Sequence, residues 1–495
     1  MPKLFVFAIG GTGSRVLKAL TMLLASGVKM ENTSEVIPII LDPHAQNEDL
    51  LRTKELLREY GNIRNTLKNK PAEGFFGTEI KTLNRSIGAD ATIADTYVFD
   101  LQGVQQSTFE EYIDYGGLDP ANKALASLLF SEENLGTKMD IGFVGNPNIG
   151  STVLNQFKNS DVFGAFATNF AADDRIFIIS SIFGGTGAAG FPILLKNIRG
   201  AQASNIPNPA YLRDARIGAV SVMPYFSLNN DENRLIDPAS FIAKTKAALY
   251  YYARNVNHSV NALYYVGDDV TKAYNYDPGN GGQRNDAHFV ELVSALAIVD
   301  FMNTPDYDLT TTNGRPDNPV SKEFGLEGDG TSLQLDHLAK DTRRQVSLPL
   351  SKFAFFSTYL KSRLNQAAGN TVWAKSNPPI SSQFMNSAFM NSVRKFDGGF
   401  RQWLAEMETN RRGFSPFLLD SGNLGQTVRG FEPTKRNLWG KEVAVDLDIV
   451  NDFDRTLNAT AEGKAYPSEP DKFIHLFSEG TERFIREKIT KVTDY

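Results

Sequence analysis

The residues best suited to chemistry in this chain are glycines that lie between a predicted strand and a predicted helix. The run 180–192 reads SSIFGGTGAAGFP, and it follows the apolar run 175–179. Glycines at such a junction let backbone N–H groups turn toward an anion, and the helix dipole adds positive potential. Taken alone, this sequence fits a plain tight turn as well as it fits a cradle for a phosphate chain.

Two further glycine turns have the same arrangement. The apolar strand 4–9 leads into Gly-Gly-Thr-Gly-Ser at 10–14, and a predicted amphipathic helix begins at Arg15. The segment 142–150 reads GFVGNPNIG and precedes another helical stretch. Three turns of this kind in one chain favour a polyphosphate site over an isolated turn.

In order and content these turns resemble the loops of the tubulin/FtsZ superfamily. The turn 10–14 matches the first loop of that family, and 42–47 keeps the acidic residue and the Ala-Gln pair of the second. The third loop, Gly-Ala-Asn-Pro-Glu-Val-Gly, is echoed by 145–150. The fourth, Gly-Gly-Gly-Thr-Gly, keeps its last four positions at 184–187, with Phe183 in the first. The chain is therefore similar to a divergent prokaryotic tubulin-like protein.

The resemblance implies an α/β fold, namely a tubulin/FtsZ-like GTPase domain with a parallel sheet flanked by helices. We expect the nucleotide-binding domain over 1–284 with an insertion at about 48–140, a central helix over 285–303, and a divergent α+β C-terminal domain over 304–495. Alternating strand and helix signals and continuous apolar strands fit a parallel sheet that is covered on both faces. A further helix is predicted over 387–408, where aromatic residues are spaced for one face.

The resemblance also implies GTP or GDP as the ligand, with Mg²⁺ carried on its phosphates. Glu232 and Arg234 are the expected sugar contacts, and the start of the central helix is expected to hold the base. The complete set of expected nucleotide contacts is Gly10, Gly11, Thr12, Gly13, Ser14, Asp42, Ala45, Gln46, Gly145, Asn146, Gly184, Gly185, Thr186, Gly187, Glu232, Arg234, Asn285, His288 and Phe289.

Family members assemble head to tail, so the resemblance implies that GTP promotes self-association into cytoskeletal filaments. Hydrolysis would need an acidic group from the incoming subunit, in a loop with the pattern Asn-x-Asp-x-x-(Asp/Glu). Gln334-x-Asp336 is a partial copy, with Ala339 in the last position, and Asp336 is the expected catalytic residue. This divergence favours GTP binding over hydrolysis. It also leaves an alternative open, a non-polymerising nucleotide-gated scaffold that binds a partner protein.

A Rossmann dinucleotide site is the main competing interpretation. Gly11-Thr12-Gly13 begins that fingerprint, and Asp42 ends the second strand at a position suited to a ribose. However, Val16 replaces the third glycine, and the later glycine turns stay unexplained. The phosphate-binding P-loop with its lysine is absent from the sequence.

Composition narrows the remaining classes of function. The net charge of −6 gives no broad basic surface for nucleic acid. The absence of cysteine excludes disulfides and cysteine-based zinc sites, and five histidines make a metal centre unpromising. No apolar run approaches the ~20 residues that cross a membrane. We therefore expect a cytoplasmic protein without membrane insertion.

Overall fold

The computed structural model describes residues 2–33, 35–44, 46–140, 142–143, 146–202, 206–228, 238–268, 273–274, 285–325, 332–410, 412–430, 434–436, 442–444 and 449–489. Four of the expected nucleotide contacts, Ala45, Gly145, Glu232 and Arg234, lie outside these residues.

Within these ranges the strands are β1 Lys3–Ile9, β2 Glu35–Leu41, β3 Glu79–Ile80, β4 Arg175–Ser181, β5 Arg216–Val222, β6 Ser227–Leu228, β7 Ala262–Gly267, β8 Ala273–Tyr274, β9 Thr311–Thr312, β10 Arg315–Pro316, β11 Val320–Gly325, β12 Thr434–Arg436 and β13 Glu442–Ala444. The helices are α1 Gly10–Ser26, α2 Glu48–Thr66, α3 Leu83–Ser86, α4 Phe109–Tyr112, α5 Pro120–Leu129, α6 Glu132–Leu135, α7 Pro147–Leu154, α8 Asp161–Asn169, α9 Gly185–Arg199, α10 Pro209–Arg213, α11 Pro238–Asn255, α12 Phe289–Asn303, α13 Lys340–Ser362, α14 Leu364–Ala367, α15 Val372–Lys375, α16 Ser382–Met385, α17 Ala388–Glu408, α18 Ile449–Ala461 and α19 Glu469–Lys488.

A seven-stranded parallel sheet forms the centre of the molecule, in the order β11-β7-β5-β4-β1-β2-β3. Strand β1 lies between β2 and β4, with Ile9 opposite Leu41 and Ala8 opposite Ile179. Both β1 and β4 are buried along almost their whole length. Helices cover both faces of the sheet, so the predicted α/β fold with a helix-flanked parallel sheet is confirmed.

Alternate residues of β1 point into two different cores, as the two-residue period of a strand requires. Phe5 and Phe7 pack on one face, where the ring of Phe166 in α8 lies 4.9 and 5.2 Å from theirs. Val6 and Ala8 belong to the core on the other face, which includes α1 and the central helix α12. Helix α1 is thus enclosed on all sides, and it packs between the sheet and the central helix α12.

The described part of 304–495 is mostly helical and shares this second core. Helices α13, α17, α18 and α19 contribute buried residues to the same cluster as α1 and α2. Strand β11 extends the main sheet beside β7, and short antiparallel pairs form between β9 and β10 and between β12 and β13. The helix expected at 387–408 is confirmed as α17, and its aromatic stripe is buried core.

Within 48–140, the segment containing α4, α5 and α6 lies beside the third glycine turn, where Asn146 donates a side-chain hydrogen bond to Asn134. Among the described residues, none of the helices combines the length and apolar character needed to span a bilayer.

Candidate phosphate-binding site

The first and fourth loops, which are the glycine turns 10–14 and 184–187, lie side by side at the carboxyl ends of the sheet strands. The chain leaves β1 toward β2 on one side of the sheet, whereas β4 occupies the other side. In an open parallel sheet this change of direction creates a crevice outside the carboxyl ends of the strands, and ligands bind there. The turn 10–14 opens α1 and the turn 184–187 opens α9, both at this crevice.

Close contacts bring all four sequence-predicted loops together. Gly10 has φ +70°, and a Cβ atom on it would lie 3.5 Å from Thr186 Cβ. A Cβ on Gly11 would lie 3.5 Å from Nδ2 of Asn47, in the second loop. A Cβ on Gly150, the last residue of the third loop, would lie 2.8 Å from the carbonyl oxygen of Gly185. At Gly150 a side chain would therefore separate the two backbones, whereas a Cβ on Gly10 or Gly11 would make ordinary contacts with the neighbouring loop.

Helices α1, α7 and α9 begin at these loops, and none of them has a side-chain cap. Their first turns also lack acidic residues. By contrast, the neighbouring helices α2 and α8 are capped by Asn47 and Ser160. Because the first N–H groups of a helix have no partner within it, three uncapped helix starts present backbone donors at one place. This arrangement suits an extended anion.

The crevice is open to solvent on one side. Gly11, Asn146, Gly184 and Thr186 are half-buried, whereas Gly10, Thr12, Gly13, Ser14, Gly185 and Gly187 are buried. The half-buried members form the rim that a ligand can reach, and the buried members support it.

Asp42 directly follows β2, next to the first turn, and is buried. The backbone N–H of His44 donates to its Oδ1 at 3.0 Å, whereas Oδ2 has no hydrogen-bond partner among the described residues. Burial raises the pKa of Asp42 to about 7, and the nearby carboxylate of Asp49 adds to the rise. Asp42 can therefore gain or lose a proton near neutral pH. Gln46, from the same loop, is exposed.

Arg15 is the most important residue that the sequence analysis missed. The sequence predicts it as the first residue of an amphipathic helix and gives it no role, but it is only 3% exposed. Its Nε donates to Glu291 Oε1 at 2.7 Å, its Nη1 to Asp49 Oδ2 at 2.9 Å, and its Nη2 to the Tyr225 hydroxyl at 2.8 Å. Burial opposes its charge, but these partners outweigh burial and raise the pKa of Arg15 well above its ordinary value.

The Arg15 contacts belong to a buried ionic network that reaches the C-terminal half. Lys18 lies one turn further along α1, with its Nζ 3.8 Å from Oε2 of Glu406 in α17. Burial lowers the pKa of Lys18. Nη2 of Arg52 donates to both carboxylate oxygens of Glu406, at 2.7 and 2.8 Å. The network contains three cations and three carboxylates, namely Arg15, Lys18, Arg52, Asp49, Glu291 and Glu406. Its formal charges balance.

Of the expected base contacts, Asn285 and His288 precede α12, whereas Phe289 is its first residue. The backbone N–H of Asn285 lies 3.4 Å from Asp49 Oδ2, which places it beside the Arg15 network. His288 is the N-cap of α12, and its ring lies 5.0 Å from that of Tyr225. The ring of Phe289 instead packs 5.2 Å from that of Phe414 and lines a cavity of about 370 Å³. Asn285 and His288 are thus near the first turn, and Phe289 faces a different part of the molecule.

Asp336 lies in an exposed turn between β11 and α13. The adjacent His337 lines the same cavity as Phe289 and Val293, which is the face of α12 opposite Glu291. Within one subunit, therefore, Asp336 lies across the central helix from the Arg15 network. Among the described residues, no group of three or more acidic or histidine side chains is arranged to hold a metal ion.

No protein-family model matches the sequence, and no curated protein matches it. Similar solved structures include a mutant FtsZ from M. jannaschii (13% identity, TM-score 0.28) and a CetZ from Methanosaeta thermophila (13%, 0.26), each over 54% of this chain and 46% of that chain. CetZ2 from Haloferax volcanii, in a GTPγS-bound protofilament, is 12% identical with a TM-score of 0.27, over 61% of this chain and 58% of that one. The chain thus spans about half the length of these proteins. Because the overlap is this limited, the function proposed below rests on the glycine turns and the strand order.

Proposed function

We propose that this protein binds GTP and GDP at the crevice formed by the three glycine turns and the loop 42–47. The observation that carries the proposal is the meeting of Gly10 with Thr186, and of Gly150 with Gly185, at the switch point of the sheet. A Rossmann site uses a single glycine turn, so it does not account for the second uncapped helix start after β4.

In this proposal the turn 10–14 faces the α- and β-phosphates, and the turn 184–187 with Asn146 surrounds the β- and γ-phosphates. The chain offers backbone N–H groups and helix dipoles here, and both favour negative charge. Mg²⁺ would be carried on the phosphates and keep most of its waters. Gly145, Ala45, Glu232 and Arg234 remain proposed contacts from the sequence alone.

We further propose head-to-tail self-association, because the carboxyl and amino ends of the sheet strands present different groups. The glycine turns lie at the carboxyl edge. The segment after α12 lies at the amino edge, where Nη2 of Arg175 donates to the carbonyl oxygen of Thr304 and to Asp306. Asp308 is exposed on this segment. A contact between unlike surfaces repeats from copy to copy and gives an open filament if it does not close.

The first test is the identity of the nucleotide released when the purified protein is denatured. We expect GTP or GDP at close to one per chain. Binding calorimetry with GTP, GDP and ATP then tests the base preference. The release of a dinucleotide would contradict the proposal and support the Rossmann interpretation.

The second test is pelleting and light scattering across a wide range of protein concentrations. Filament assembly predicts that both signals rise with GTP or a non-hydrolysable analogue above a critical concentration. Nucleotide binding without any increase in either signal would refute assembly and support the non-polymerising scaffold.

A further inference from the structure

Arg15 faces the first glycine turn as well as its carboxylate partners. A Cβ atom on Gly11 would lie 3.6 Å from Arg15 Nη1 and 3.5 Å from Asn47 Nδ2. A guanidinium and a side-chain amide therefore flank the same half-buried point of the turn, and both groups are hydrogen-bond donors. An anion at this turn lies within reach of a buried cation in addition to the backbone N–H groups.

The same guanidinium holds the start of the central helix. Its Nε–H donates to Glu291 on the first turn of α12, and its Nη1 donates to Asp49. Asp49 in turn accepts from the backbone N–H of Asn285, which precedes α12. A movement of Arg15 toward an anion would weaken its contacts with both carboxylates at once.

Glu406 connects this segment to the C-terminal helices. The backbone N–H of Ala287 donates to Glu406 Oε2 at 2.9 Å, and the side chain of Asn410 donates to the carbonyl oxygen of Ala287 at 2.8 Å. Glu406 also pairs with Lys18 and Arg52. The end of α17 thus clamps the residues that lead into the central helix.

We propose that Arg15 couples an anion on the first glycine turn, through Glu291 and Asp49, to Glu406 at the end of α17. The coupling rests on the proposed nucleotide site. The network is buried and its charges balance, so a further negative charge beside Arg15 must weaken one of the existing pairs. The contacts of α17 with residues 285–288 then depend on whether the crevice holds a phosphate.

Amide hydrogen exchange of the full chain, measured by mass spectrometry with and without saturating GTP, tests this coupling. In the native protein we expect GTP to change exchange several-fold over 285–291 and 402–410. The double variant Arg15→Gln/Glu291→Gln removes one cation and one carboxylate and so keeps the charges balanced. It should bind GTP roughly tenfold more weakly, from the loss of a charge-assisted contact, and show no change over 402–410 when saturated.

Arg175→Gln is the matched control. Arg175 is as buried as Arg15, but its Nη1 donates to the carbonyl oxygen of Phe301 near the other end of α12. Its loss should lower stability while the affinity for GTP and the response over 402–410 stay native. The variant Arg15→Lys keeps the charge but lacks the planar guanidinium group. Its affinity for GTP should therefore lie between that of the double variant and that of the native protein.

Three results would overturn the coupling. If the double variant saturated with GTP shows the native exchange response, Arg15 does not carry the coupling. A native protein that binds GTP without any response over 402–410 would refute the coupling and leave the nucleotide site intact. A native protein that binds no GTP would refute both.

Discussion

An added methyl group should have different effects at two glycines of the first turn, lowering stability at Gly13 and affinity for GTP at Gly11. A Cβ on Gly13 would lie 2.6 Å from the carbonyl carbon and 3.1 Å from the Cα of Ala8. Ala8 belongs to β1, which is paired with β2 and β4 on its two sides, so this backbone cannot move aside. We expect Gly13→Ala to destabilise the protein by ~3 kcal/mol or more, at the upper end for overpacking.

Gly11→Ala meets no such obstacle. Its Cβ would have ordinary contacts of 3.5 and 3.6 Å with Asn47 and Arg15, and Gly11 has no positive φ. Replacing glycine by alanine in a helix gains at most about 1 kcal/mol, so stability should be unchanged or slightly higher. The methyl group would occupy the half-buried gap where we place a phosphate. Losing one charge-assisted hydrogen bond of ~1.5–3 kcal/mol weakens binding roughly 10- to 100-fold.

The assay combines chemical denaturation with calorimetric titration of GTP on both variants and the native protein. We expect Gly11→Ala to lose affinity and keep stability, and Gly13→Ala to lose stability. Native affinity in a folded Gly11→Ala protein would refute the phosphate position. Native stability of Gly13→Ala would refute the close approach of α1 to β1.

Three further predictions concern other parts of the site. Because the pKa of Asp42 is raised to about 7 in the folded protein, the free energy of unfolding should fall by up to ~4 kcal/mol as pH rises from about 4 to about 7. In urea titrations the Asp42→Asn variant should lack this part of the decline, and a pH profile identical to that of the native protein would contradict the prediction. Gly150→Ala should push α7 away from the carbonyl oxygen of Gly185, 2.8 Å from the new Cβ, and lower both thermal stability and GTP affinity; an unchanged melting temperature would count against this packing. Asp336→Ala should reduce GTP turnover per chain at high protein concentration without changing GTP affinity, since its carboxylate would act on a neighbour's nucleotide. Asp308→Ala is the comparison, and a loss of turnover in that variant alone would move the role to the amino edge of the sheet.

The glycine turns were predictable because their signal is local. An apolar strand, a glycine cluster and a helix start are adjacent in sequence at both 4–14 and 175–187. The local structure of each segment therefore depends on residues close to it in the chain. The stripe of α17 was equally legible, since Phe396, Phe400 and Trp403 recur at helical spacing and are buried as expected.

The burial of Arg15 was not predictable in the same way. Helix α1 is enclosed because α12 and α13 pack on it, and those helices begin 279 and 330 positions after Gly10. The available signal was a pair of cations, Arg15 and Lys18, in an otherwise apolar helix, together with acidic residues on other predicted helices. The direction of Phe289 was missed for a different reason. A resemblance fixes which helix is near the ligand, but a shift of two positions along a helix turns a side chain to the opposite face.

The clamp at the end of α17 has a practical consequence for dissecting the molecule. A fragment cut after Asn303 would keep Lys18, Arg52 and the start of the central helix but lose Glu406, the carboxylate that both cations share. The apolar side of α1 would also face water where α13 now covers it. Such a fragment should aggregate on expression, so the two halves of this chain need to be studied together or supplied as co-expressed pieces.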